Sequence, residues 1–153
     1  MQQRSPLPFA FAALVLPLLL AACAAAPDPV PTAPAAFPGG SWILVELDGK
    51  AVADSVGEKI PTLAFGGDGT AGGSSGCNRY GTEWTLTGDS GIAFAELWST
   101  KMFCVDVLIE AEYYGMFRKA ARWAVSGGAL ELSDAAGRLL ARFEPAPDPD
   151  EGR

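Results

Sequence analysis

The 153-residue chain contains no histidine. That absence removes Ser-His-Asp and Cys-His catalysis and every imidazole metal ligand. Cysteine is scarce: with only Cys23, Cys77 and Cys104, a thiolate zinc cage is out of reach. Asparagine occurs once, at Asn78. Basic residues number 11 against 18 acidic ones, for a net charge of −7. Nucleic acids reward clustered Lys and Arg, so no nucleic-acid partner is expected. The same deficit leaves no basic patch for anionic lipid headgroups. No metal, no cofactor and no catalytic residue are expected, and the chain reads as a non-enzyme.

What is present begins at the N-terminus. Arg4 precedes an apolar run from Phe9 to Ala26 that closes on Leu20-Ala21-Ala22-Cys23. A charged start, a greasy middle and small residues before a break describe a secretory signal peptide. The ending resembles the lipobox of bacterial lipoproteins. That resemblance implies a signal peptide over 1–22, cleavage before Cys23 and acylation of its sulfur, with palmitate among the chains. An uncleaved anchor is the rival reading, but Pro17 and the alanine-rich last third make a weak membrane span. Cleavage would leave 131 residues, enough for one domain, and a net charge of −8 with Arg4 gone. Lipid alone can then hold the protein, because two or more acyl chains anchor durably. The expected address is the cell envelope. Ala24 rather than Asp after Cys23 points, under the enterobacterial sorting rule, to the periplasmic face of the outer membrane.

Residues 23–40 read as a lipidated Cys and a Pro/Ala-rich tether, semi-rigid and reaching on the order of 50 Å. The acidic, Pro-punctuated tail at 145–153 reads as disordered. Between them, 41–144 alternates with the two-residue rhythm of strands. Trp42, Leu44 and Glu46 fall on one side of the first, with Ile43, Val45 and Leu47 on the other. About eight short strands predict an antiparallel barrel or sandwich-like sheet, a mostly β member of the α+β class. One stretch departs from this rhythm. Val105 to Arg122 repeats its apolar residues at three and four, with acids early and bases late, and predicts a single packed amphipathic helix.

Five short patterns stand in order along this region: Trp42-Ile43-Leu44, Pro61-Thr62-Leu63-x-Phe65 with Asp68-Gly69, Gly76-Cys77-Asn78-Arg79-Tyr80, Thr100-Lys101-Met102-Phe103-Cys104, and Leu130-x-Leu132. Together they resemble the META domain family of HslJ-like heat-shock lipoproteins, across essentially the whole 41–144 segment. The resemblance implies a sheet-dominated fold with one helix, an envelope location and an association with stress or antibiotic tolerance. It supplies no catalytic residue. Glu112 sits where members of that family place a glutamate.

The remaining motifs divide by chemistry. In an oxidising compartment Cys77 and Cys104 are expected to pair, closing a loop worth about 3–4 kcal/mol; two buried free thiols are the alternative. Asn78 suits a left-handed turn residue or a side chain bonding local backbone, with ligand binding as its rival role. Glu110 is expected in solvent. Glu112 is the chain's one candidate polar site, either turned inward against Arg79 or Lys101 or serving a structural role only. Gly67-x-Gly69-x-x-Gly72 matches a dinucleotide fingerprint, but a strand rather than a helix follows, so it reads as a hairpin turn. Trp42, Trp84 and Trp123 read as core, whereas Trp98 reads as the exposed aromatic of a partner surface. The expected function is a monomeric, membrane-tethered interaction protein with an unidentified protein or small-molecule partner. A protease inhibitor or chaperone-like module, and a lipocalin-like carrier of an apolar ligand, are the alternatives.

Overall fold

The computed structural model describes residues 37–52, 59–105 and 109–147. Cys23, the signal segment, most of the tether and the end of the tail lie outside the described residues. Ten strands and one helix follow in order: β1 Gly40–Leu47, β2 Lys50–Ala51, β3 Thr62–Phe65, β4 Thr70–Ser74, β5 Arg79–Thr87, β6 Gly91–Phe94, β7 Trp98–Ser99, α1 Glu110–Lys119, β8 Arg122–Ser126, β9 Ala129–Ser133 and β10 Leu139–Pro145. The expected mostly β, antiparallel architecture with one helix is what the described residues form.

Neighbouring strands run β10-β9-β8-β6-β5-β4-β3-β1, and β10 returns to pair with β1, so the sheet closes into a ring. The two-residue strands β2 and β7 hang from β1 and β5. The ring is thinnest between β6 and β8, where Gly91↔Arg122 is the one paired position. Two further bonds hold that seam, from Ile92 N–H to the Ala121 carbonyl and from Trp123 N–H to the Ser90 carbonyl. Closure matters because an open β edge invites pairing with another chain.

Turn chemistry agrees with these hairpins. Asp48 and Gly49 (φ 46° and 80°) turn β1 into β2, and Gly127 and Gly128 (φ 60° and 85°) turn β8 into β9. Two consecutive positive φ values are what a tight hairpin needs to match strand twist. Asp68 organises the β3–β4 turn by accepting from Thr70 N–H (3.0 Å) and Thr70 Oγ1–H (2.6 Å). β4 follows directly, so the glycine-rich fingerprint is a hairpin with no helix to meet a pyrophosphate.

The first strand corrects its simple alternation. Trp42 and Leu44 point inward as expected, but the register against β10 shifts between Leu44 and Glu46. This bulge leaves Leu47 rather than Glu46 in the core, since one extra residue reverses the faces beyond it. The ring's interior is filled by Leu44, Leu63, Leu130, Leu132, Leu140 and Phe143, all buried. Phe37, counted with the tether by composition, packs beside Phe65, Trp84 and Trp123 at centroid distances of 4.8, 4.7 and 5.0 Å. At the other terminus, Ala146 N–H still bonds the Ser41 carbonyl.

The helix is shorter than its periodicity predicts. It begins at Glu110 rather than Val105 and ends at Lys119 rather than Arg122. Ala120 is extended (φ −61°, ψ 127°), and Ala121 N–H already bonds Ser133 across the sheet. Strand pairing therefore takes over where the sequence still reads as helical. Its inner face is Tyr113, Met116 and Phe117, each burial being worth roughly 2 kcal/mol. Tyr113 and Phe117 pack on Tyr80, Phe94 and Phe143.

Candidate functional site

Two structures meet around residues 75–81: a polar lock and the groove it braces. The lock begins at Gly76, whose φ of 93° makes the turn. Asn78 was expected there as a left-handed residue or a local cap. Its φ is not positive, and its side chain instead spans the fold, because Gly76 already supplies the sharp bend. Asn78 Oδ1 accepts from Thr100 Oγ1–H at 2.8 Å and from Met102 N–H at 2.7 Å. Its Nδ2 donates to both oxygens of Glu110, at 2.9 and 3.2 Å, and to the Met102 carbonyl at 3.4 Å. Glu110 Oε1 also accepts from the buried Ser75 hydroxyl and from Tyr114 OH at 3.0 Å. Ser75 Oγ in turn accepts from Asn78 N–H at 3.0 Å.

The glutamates thus exchange the roles expected of them. Glu112 is exposed and pairs with neither Arg79 nor Lys101. The reason is angular: with Tyr113 and Phe117 facing the core, the flank toward Asn78 is the one carrying Glu110 and Tyr114, four apart on one face. Burial pushes the Glu110 carboxyl up, but hydrogen bonds from Ser75, Asn78 and Tyr114 outweigh it and hold the group below its ordinary range. Burial raises Tyr114, which donates to that carboxylate. Deeper in, Tyr80 OH and Tyr113 OH lie 2.8 Å apart and both donate toward the Thr62 carbonyl, at 2.8 and 3.0 Å. Burial raises both phenols well above the usual tyrosine value, so they stay neutral.

A covalent staple reinforces the lock. Cys77 and Cys104 form a disulfide with Cα atoms 6.0 Å apart, closing the loop that carries β5, β6 and β7. Thr100 N–H bonds the Arg79 carbonyl at 3.0 Å, and Arg79 N–H returns to Thr100 Oγ1 at 3.1 Å. The segment from Trp98 to Cys104 is therefore pinned at several points, although Met102, Phe103 and Trp98 are 61, 92 and 64% exposed.

The groove lies on the outer face of β3, β4 and β5. Register places Ala64, Gly72, Gly81 and Trp98 in one cross-strand row. Gly72 is required by the sheet itself, because a Cβ there would meet the Tyr80 carbonyl at 2.7 Å. Gly81 is required by Trp98, whose indole would lie 2.4 Å from a Cβ. Small residues Ala64 and Gly72 thus form the floor, and the Trp98 indole lies over Gly81, around an open cavity of about 880 Å³. Arg79, Glu83 and Glu96 line it, with Arg79 and Glu83 four residues apart on β5. Among the described residues none of these three charges has an ion-pair partner.

Of the residues singled out in the sequence, Asn78, Cys77, Cys104 and Trp98 converge here, Glu112 stays outside, and Cys23 lies outside the described residues. Ser75, Thr100, Glu110 and Tyr114 were missed, as were Gly72, Gly81, Arg79, Glu83 and Glu96 as groove residues. The Glu110/Tyr114 spacing was a readable signal; the glycine row was not, since it exists only after register is set. Trp42 and Trp123 are core as expected. Trp84 is half-buried against that core and donates to the Thr70 carbonyl at 3.0 Å.

The family model of the META domain matches residues 35–147. No curated protein matches the sequence. Among solved structures, the chain is similar to an NMR structure of a protein from Burkholderia xenovorans, with 26% identity, a TM-score of 0.57, and coverage of 81% of this chain and 99% of that one. It also shares its fold with a DUF4847 family protein from Bacteroides vulgatus, at 15% identity, a TM-score of 0.56, and coverage of 73% and 96%. With a family match spanning most of its length, and the sheet, helix and Cys77–Asn78 turn arranged as described, this chain belongs to the META domain family.

Proposed function

We propose that this protein is a non-catalytic envelope lipoprotein, tethered through Cys23, whose META domain binds a partner through the groove beside Trp98. The observation that carries this reading is an indole left 64% exposed yet held against Gly81 by a disulfide and the Asn78 lock. Pre-organising an exposed aromatic lowers the ordering cost of binding. The polar cluster gives little support to chemistry: Glu110 is saturated with donors, and buried Ser75 spends its proton on that carboxylate. Side chains occupy the ring interior, so a lipocalin-like cargo space finds no support among the described residues. A role in envelope stress or antibiotic tolerance is the physiological part of the proposal.

The test is complementation of a deletion strain under envelope stress with Trp98→Ala and Gly81→Val chains, the latter designed to push the indole out. Both should be produced, acylated at Cys23 by intact mass, and inactive. Full rescue by both would remove the groove from the function. Retention of residues 1–22 without added lipid would remove the anchor. Specific turnover by the purified protein would overturn the non-catalytic assignment. A second reading, an inhibitor or chaperone-like module, is favoured by the exposed, stapled Met102-Phe103 pair. It expects Phe103→Ser, rather than the groove variants, to abolish rescue.

A further inference from the structure

We propose that the ligand of the Trp98 groove is a short zwitterionic peptide, about three or four residues long, with both termini free. This deepens the preceding proposal and rests on that groove being the binding surface. Arg79 and Glu83 are four residues apart on the same face of β5, about 13 Å along the strand. Glu96, two residues before Trp98, also lines the groove. The groove thus has a cationic end and an anionic end, with the bare Gly72 floor and the Trp98 indole, seated over Gly81, between them.

That order of charges selects among ligands. A polyanion would meet Glu83 and Glu96, and a polycation would meet Arg79, with like charge costing affinity in each case. A neutral ligand would leave three unpaired charges without use. An extended peptide rises about 3.3–3.6 Å per residue, so three or four residues span the 13 Å or so between the two ends. Its carboxylate would face the Arg79 guanidinium, a geometry suited to a bidentate contact, and its ammonium would face Glu83 and Glu96. A missing side chain on a strand face allows another backbone to approach closely, which suits a main chain passing over Gly72 beside the indole. The indole supplies apolar area for one side chain at little conformational cost.

The full chain in detergent is titrated with tetra-alanine and with its N-acetylated, C-amidated and doubly blocked forms, read by calorimetry and by the emission change lost in Trp98→Phe. Free tetra-alanine should bind, each single block should weaken it roughly tenfold, and the doubly blocked form should bind weakest. In Arg79→Glu, a surface change checked for fold by circular dichroism, amidation should no longer weaken binding while acetylation still does. Equal affinity for all four peptides would overturn the peptide assignment yet leave the groove as a binding surface. So would a charge-insensitive Trp98 response in the Arg79→Glu chain. No Trp98 response at millimolar peptide would overturn it as well, and the groove reading would also fall if Trp98→Ala and Gly81→Val both complement the deletion.

Discussion

Asn78→Asp is the sharpest perturbation of the lock, because it keeps half of the contacts and inverts the other half. An aspartate can still accept from Thr100 and Met102, as Asn78 does at 2.8 and 2.7 Å. It cannot donate to Glu110, where Asn78 Nδ2 now sits 2.9 Å from a carboxylate oxygen. Two carboxylates at that separation repel by about 6 kcal/mol at an effective dielectric near 20, and one of them relieves the strain by holding a proton. Asn78→Ala instead loses the contacts outright and leaves Met102 N–H bare, for a cost of roughly 2–3 kcal/mol and a drop in melting temperature on the order of 10 °C. At neutral pH the Asp variant should be no more stable than the Ala variant. As pH falls below neutral it should recover, as the pair takes up a shared proton and turns repulsion into a hydrogen bond.

The parent chain should slope the other way. Its Glu110 carboxyl is held below the ordinary value of 4.5, so the folded state binds that proton less readily than the unfolded one. Such a group contributes stability that is complete above the unfolded value and is lost as pH falls through the lower folded one. Urea denaturation followed by circular dichroism from about pH 3 to 8, with the disulfide oxidised, gives both slopes. Parallel curves for parent and Asn78→Asp would refute the placement of Asn78 against an ionised Glu110.

Two other outcomes follow from the geometry. Replacing Cys77 and Cys104 by serine should cost about 3.5 kcal/mol on the loop-entropy account for a separation of 27 residues, and reductant should lower the parent's urea midpoint but not the variant's. Tyr80→Phe and Tyr113→Phe should each cost about 1 kcal/mol, because the surviving hydroxyl still reaches the Thr62 carbonyl; together they strip it of both donors and should cost more than their sum, a difference that a double-mutant cycle measures.

Much of the fold was legible along the chain. The meander from Arg122 to Phe143, the Gly127-Gly128 turn and the hairpin at Asp68 follow from short-range alternation and turn chemistry that tertiary context did not override. Legibility failed where a distant partner decides. Leu47 turns inward because β10 is out of step with β1 at Val45, and no periodicity within β1 announces a bulge set by another strand. The helix stops at Lys119 because Ala121 is claimed by Ser133, although its apolar repeat continues. The exchange of Glu110 for Glu112 has the same origin, since two neighbouring glutamates on one helix are told apart only by which flank the sheet covers.

From residue types alone came the exclusion of imidazole chemistry, the alternating strands, the single amphipathic helix, the pairing partners Cys77 and Cys104, and an indole at position 98 with nothing nearby in sequence to bury it. Those are local or compositional properties, and composition is carried by every conformation of the chain. Only closure of the ring decided that Asn78 spans 24 to 32 residues to bind Met102 and Glu110, and that Ala64, Gly72 and Gly81 align into a row ending at Trp98. Register and ring closure are long-range pairings, set by the energy of the whole sheet rather than by any segment of it, and the groove is made from them.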